Sequence, residues 1–321
     1  MKLWNSRNIA FVAVFISIST IMLLLGIRLF PIAVLPSLRF SIIGLPIKIT
    51  GFIFGPIIGL LTGFLADLIS FWFAPTTFSY FYTIALSLTG FIPGLIAKLF
   101  LNFIKNQINE KILERKIKIK KQKISFKIEK LIESKIGMPE SKIILINKKI
   151  SKLKIKKEKY GPEVIERNLK NLYLSICITI IMVLFFIIFI LIYKSDNQVF
   201  DGISKKIKFF KNKYIFLAFI FAGTASMLVF ITIARFLKFF QKKNRFSTMV
   251  PIIVFSAILE PLTTVILSMG DVQSKQFDSY ELALVSHFTL SPIKIWINLF
   301  VIYLTSLVVL PIVQNKTKNV Y

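Results

Sequence analysis

The chain has 321 residues, 55% of them hydrophobic and 14% aromatic, with a mean hydropathy of +0.72. That is far above a soluble domain, and the apolar residues gather in long runs nearly free of charge, which excludes a soluble globular chain. The 42 Lys and Arg against 15 Asp and Glu give +27, a balance that suggests nucleic acid in a soluble chain but must first be set against topology in one that crosses a membrane.

The first apolar run, Asn8 to Ile27, follows "MKLWNSR" and spans about 30 Å as a helix. Its core is longer than that of a secretory signal and no small-residue cleavage site follows, so it reads as a retained first span. Phe40 to Phe73 is interrupted only by Lys48 and Asp67. As one helix it would reach about 51 Å, too long for a hydrocarbon core of about 30 Å. It must be two spans, the first starting near Pro36, with the break at Gly55-Pro56 because glycine suits a helix end and proline a helix start. A fourth span runs from about Ser79 to Ile104.

From 102 to 170 the composition changes: 21 Lys and Arg face 8 Glu, so +13 of the net charge sits there. Ile112, Leu113, Ile117, Ile124, Ile128, Leu131, Ile132 and Ile136 recur mostly at three, four or seven residues, which predicts an amphipathic helix. "GMPE" makes a turn and a second basic helix follows. A solvated or lipid-facing helical pair accounts for this insert without nucleic acid.

Four further apolar runs follow, Asn171 to Tyr193, Tyr214 to Phe240, Thr248 to Gly270 and Leu290 to Val313, giving eight spans. With the N-terminus inside, the insert, "KFFQKKNR" and the tail are all cytoplasmic, as the positive-inside rule asks. The loop from Lys194 to Lys213 runs against it, with six lysines and two aspartates outside. The one cysteine, Cys177, lies in an apolar run and forms no internal disulfide.

In order along the chain, "RNIAFVAVFISIST", "LRFSIIGLPIKITGFIFGPIIGLLTGFLADLISF", "APTTFSYFYTIALSLTGFIPGLI" and "SPIKIWINLF" resemble the substrate-binding S component of energy-coupling factor (ECF) vitamin transporters, folate type. The resemblance covers about 7–101 well and 248–311 weakly. It implies an all-α polytopic membrane helical bundle in the cell membrane with a six-helix S-component core, from which this chain departs by two extra apolar helices and a basic cytoplasmic insert. The segments are then 1–101, core helices 1 to 4; 102–170, the insert; 171–244, an extra hairpin; and 245–321, the last two core helices and tail. An insertion with an even number of spans leaves those last two in their original orientation.

The implied partners are a folate-like vitamin, an ECF transmembrane subunit and two ATPase subunits. No G-x-x-x-x-G-K-[ST] loop occurs, so ATP-driven work falls to other subunits, and no H-E-x-x-H or cysteine cluster supplies a metal. Neither a cofactor nor an enzyme constellation is expected. Ala10, Ala13 and Ser17 lie on one side of the first helix, and the spacing of Ala13 and Ser17 lets a second helix approach closely. Ordinary internal packing uses the same spacing; by resemblance these residues correspond to the family's docking motif, with Ser17 for an alanine.

A folate-like ligand needs a flat ring held by stacking, a donor edge met by an acceptor and an anionic tail met by cations. Phe71, Trp72, Phe78, Tyr80 and Tyr82 supply rings, Asp67, Thr76 or Asn298 acceptors, and Arg39 or Lys294 cations, with Arg39, Asp67 and Lys294 expected in the outer leaflet. Equally, Asp67 reads as the structural counter-charge of Arg39 and the rings as an interfacial belt. Glu260, beside Pro261 near mid-membrane, is either the coupling group of a stand-alone secondary carrier or a protonated glutamate hydrogen-bonded inside the bundle. His287, in an external loop, reads as a surface residue.

Overall fold

The computed structural model describes residues 6–29, 43–73, 78–101, 114–160, 162–194, 213–241 and 245–318. Among them every regular element is helical and no strand occurs. The chain divides into two compact units, one of residues 100–173 and one of the remainder.

The larger unit begins with α1 (Ser6–Leu29), α2 (Leu45–Phe54) and α3 (Pro56–Phe73). The break between α2 and α3 falls at Gly55, as its sequence asks. Gly55 has φ +102°, which a side chain would strain, and its N–H ends α2 on the Gly51 carbonyl at 2.9 Å. Pro56 has no N–H to satisfy and opens α3. The expected start of the second span near Pro36 lies outside the described residues; α2 itself, with ten residues, is about 15 Å long, half of a hydrocarbon core.

Then come α4 (Tyr80–Ala97), which a wider helical turn extends to Leu101, and, past the smaller unit, the apolar part of α7 (Pro162–Lys194) and α8 (Lys213–Ala234). A single turn, α9 (Lys238–Gln241), precedes α10 (Arg245–Gln273), α11 (Tyr280–Thr289) and α12 (Ser291–Lys318). Among the described residues five segments are long and apolar enough to cross a membrane: Pro56–Phe73, Tyr80–Leu101, Glu166–Ile190, Arg245–Gln273 and Ser291–Val309. Val12–Leu25, Leu45–Phe54 and Ile220–Ala234 are shorter apolar helices at the other three expected positions. The chain is a multi-pass helical membrane protein.

Several boundaries differ from expectation, among them the end of α8 at Ala234 rather than Phe240. α7 runs unbroken from Pro162 instead of starting at Asn171, because proline suits a first turn, no breaker follows, and Glu166 and Lys170 pair at 2.6 Å one turn apart. The external loop expected before the last span contains α11, whose Ala283, Val285, His287 and Phe288 are buried.

In the larger unit α4 is central, packed by α2, α3 and α10; α1 lies on α2 and α3, and α12 on α10, α2 and α8. Glycines set the spacing. A methyl group at Gly59 or Gly51 would overlap the Gly90 carbonyl, one at Gly63 the Leu86 carbonyl, and one at Gly94 the backbone of Gly55 and Pro56. The α3 and α4 backbones thus touch along a seam of small residues four apart on each helix. Leu23, Ile43, Ile47, Ala66 and Leu86 fill the space beside it, and the Phe52 and Phe255 rings, 5.8 Å apart, join α2 to α10.

The smaller unit holds the basic hairpin, α5 (Glu114–Glu133) and α6 (Glu140–Glu158), turned at Gly137 with φ +81°. Ile124, Ile128 and Ile150 are its buried seam, with Leu131, Ile146, Leu153 and Tyr160 packed against them. Ile112 and Leu113 lie outside the described residues, while Ile132 and Ile136 are exposed rather than in the seam. The Tyr173 hydroxyl donates to the Phe100 carbonyl at 2.6 Å and the two rings meet edge-on, which ties the ends of this unit together.

Because the seam at Gly59 and Gly90 has no room for a side chain, Gly59→Val and Gly90→Val are each expected to destabilise the protein by about 3 kcal/mol or more. Ile57→Val, on the exposed side of α3, should change stability by about 0.5 kcal/mol or less. Thermal unfolding in detergent measures both.

Candidate functional site

Four polar side chains meet inside the larger unit. Lys48 comes from α2, Glu260 from α10, and Lys294 and Asn298 from α12, where their spacing of four puts them on one face. Lys48 Nζ donates to Asn298 Oδ1 at 2.9 Å, and Lys294 pairs with Glu260 Oε1. All four are buried, with relative exposures of 2–6%. They line one recess with Ala85, Leu86 and Thr89 of α4 and Leu259, Thr263 and Leu267 of α10. The recess measures about 430 Å³ with its open mouth included, and its enclosed part has room for about one water molecule.

Two ammonium groups and one carboxylate share this space, so its field is positive. In low dielectric each ion depends on its partner, and an anionic group entering the recess would find donors already aimed inward. The hydroxyls nearby do not compete for it. Thr89 donates to the Ala85 carbonyl and Thr263 to the Leu259 carbonyl, each at 2.7 Å, so both are satisfied by their own helices.

Of the residues expected to bind substrate, Lys294 and Asn298 line the recess. Lys294 is paired there with Glu260. Glu260 in turn meets a lysine: the sequence places no acid or histidine beside it, but the fold brings Lys294 from 34 positions away. Lys48 stands in the sequence only as an interruption of an apolar run. Its signal was the rule that an ionisable residue inside a span needs a partner.

Asp67 does not line the recess. It is half-buried on α3 and accepts a hydrogen bond from Thr83 Oγ1 of α4 at 2.5 Å. Its expected partner Arg39, like Thr76, lies outside the described residues. Phe71, Trp72, Phe78 and Tyr80 are exposed at the end of α3 and the start of α4, Trp72 by 85%. Phe71 and Phe78 meet edge-on with centroids 5.3 Å apart, and the Tyr80 ring lies 4.2 Å from that of Phe81.

Tyr82 belongs to a different group. Its hydroxyl donates to Asp271 Oδ1 at 2.8 Å and lies 2.9 Å from Ser274 Oγ, while His287 Nε2 meets Asp271 Oδ2 at 2.7 Å. Asp271 and His287 are fully buried. His287 is therefore not a surface residue: α11 folds it onto the end of α10, where the carboxylate needs a partner. A side chain at Gly270 would strike the Tyr82 ring, so that glycine is what lets the ring lie against α10.

Ala10, Ala13 and Ser17 are all exposed on α1, so they are not spent on packing within the described fold. Ser17 Oγ donates to the Ala13 carbonyl at 2.9 Å, which leaves that side of the helix smooth. No group of three or more potential metal ligands occurs among the described residues.

Compared with protein-family models, with characterised proteins and with solved structures, the chain matches none.

Removing one member of the buried pair strands the other. Lys294→Met and Glu260→Gln are each expected to cost about 3–5 kcal/mol for a lost charge partner at the upper end, with the Gln change milder because it keeps a polar group. The double variant should cost less than their sum by about 1 kcal/mol or more, read as a double-mutant cycle of thermal unfolding in detergent.

Proposed function

We propose that this chain captures an anionic vitamin, folate first, as the substrate-binding S component of an ECF-type importer in the cell membrane. The observation that carries the reading is the buried recess at which Lys48, Lys294 and Asn298 present donors between α2, α10 and α12. Folate-like ligands carry carboxylates, and lysines inside a membrane bundle are a means of holding them. Capture in this scheme is binding without chemistry: the chain is no enzyme, uses no cofactor and recognises no nucleic acid.

The recess is water-sized, so a ring-bearing ligand enters only as the surrounding helices separate. Asp67, Phe71, Trp72, Thr76, Phe78, Tyr80, Tyr82 and Arg39 are then the residues that would wall a larger opening toward the outer face. The exposed stripe of Ala10, Ala13 and Ser17 supplies the surface for a transmembrane partner, to which two ATPases would attach.

A second reading is favoured by one contact. The Glu260–Lys294 ion pair is a buried couple whose opening and closing a stand-alone carrier could link to a proton.

Liposomes containing only this protein separate the two. A capture subunit binds radiolabelled folate without accumulating it under a proton or sodium gradient, and Lys294→Gln weakens binding by roughly ten-fold or more while the exposed Lys98→Gln leaves it unchanged. Gradient-driven accumulation that Glu260→Gln abolishes would establish the carrier instead.

Docking is tested on its own. Ala13→Trp and Ser17→Trp should abolish co-purification with a transmembrane subunit and its ATPases while leaving folate binding intact. Retention of the complex with both bulky rings present would remove α1 as the docking face.

A further inference from the structure

The α5–α6 hairpin sorts its charges by face. Its antiparallel alignment is fixed near the turn by Lys135 Nζ donating to Asn147 Oδ1 at 2.5 Å, and at the open end by Lys120 Nζ lying 5.7 Å from the centre of the Tyr160 ring. Between them Ile124, Ile128 and Ile150 define the seam. At about 100° per residue, Lys120, Lys123, Lys127 and Lys130 fall within roughly 80° of one another on one flank of that seam. On α6, Lys142, Lys149 and Lys156 recur every seven residues and fall within roughly 40°.

In an antiparallel pair of right-handed helices, positions displaced from the seam in the same rotational sense lie on the same side. The two sets of lysines therefore merge into one broad face. All seven are exposed, and Glu129, Glu133, Glu140 and Glu158 fall outside the sector they occupy. Composition makes the hairpin basic; the register of these residues makes it one-sided.

We propose that this lysine face lies on the anionic phospholipid headgroups of the bilayer that the chain spans. Both ends of the hairpin join, through a dozen residues or fewer, helices apolar enough to cross a membrane, so a headgroup surface is always within its reach. The face is long and nearly flat, and it carries ammonium groups on flexible apolar stems, which suit a diffuse negative surface rather than a bidentate pocket. Ile119, Phe126 and Leu145 stand at its margins with exposures of 50–61%, where apolar groups can dip into the interface. Single-stranded RNA asks for stacking platforms instead. Phe126, the exposed ring at the margin, is already engaged by Lys130 at 5.5 Å.

The test is lysine acetylation of the full-length protein in nanodiscs, read residue by residue by mass spectrometry. Phosphatidylcholine discs are compared with discs in which half the lipid is phosphatidylglycerol. Lys123, Lys127, Lys149 and Lys156 should be protected roughly three- to ten-fold in the anionic discs, while Lys118 and Lys154, on the opposite flank of the seam, label equally in both. About half-molar salt should erase the difference.

Two variants of equal charge change complete it. Lys123→Gln with Lys149→Gln and Lys156→Gln should remove protection of the remaining Lys120, Lys127 and Lys142, whereas Lys118→Gln with Lys148→Gln and Lys154→Gln should leave it. Equal labelling of the wild-type face in neutral and anionic discs would overturn the proposal. So would protection shared by both sets of lysines, or protection given by an RNA oligomer in neutral discs when anionic lipid gives none. The wild-type comparison stands even where a variant hairpin does not fold.

Discussion

Backbone contact between α3 and α4 through Gly59, Gly63 and Gly90 is the constraint on which the rest of the larger unit depends. Lipid tails are as apolar as leucine, so membrane helices gain little by hiding apolar surface from one another, and close approach must be won by dispersion and shape. Once α4 lies that near, α2 and α10 can pack on it from the other sides, and the polar groups of α2, α10 and α12 converge. Lys48, Glu260, Lys294 and Asn298 would each be costly in hydrocarbon alone; together they satisfy one another. The site is thus a product of packing made elsewhere by residues with no side chains.

The two units solve the same burial problem with opposite compositions. In the larger one, apolar surface faces outward and polar groups are hidden and paired. In the hairpin of α5 and α6, a thin isoleucine seam is hidden and lysine covers the outside. Such a seam is narrow for a helix pair, and aromatic and polar clasps at its two ends, Lys120 over Tyr160 and Lys135 on Asn147, add to it.

The positions of the apolar helices were legible in the sequence because a span is a long, uninterrupted signal, and Gly55-Pro56 is a stop and a start written side by side. The turn at "GMPE" was equally plain. Hidden from the sequence were the pairings: Glu260 with Lys294, Lys48 with Asn298, and Asp271 with both Tyr82 and His287. Each joins helices that no local period connects, so one chain read alone supplies the need for a partner without its identity. His287 shows the cost of this, since a lone histidine between two apolar spans looks exposed until α11 is seen to fold over the end of α10.

The walls of the recess are mechanically unequal. α4 carries Pro93 inside its helix and α10 carries Pro251 and Pro261, each of which removes a rung of the backbone ladder. Thr89, Thr263 and Ser268 hydroxyls bond back to carbonyls of their own helices, a habit that favours bending. Compliance is thereby concentrated in the two helices that close over Lys48 and Glu260, while the glycine seam holds the other side of α4 rigid against α3. Widening the recess is then a matter of flexing two beams at built-in notches, with the scaffold behind them left in place.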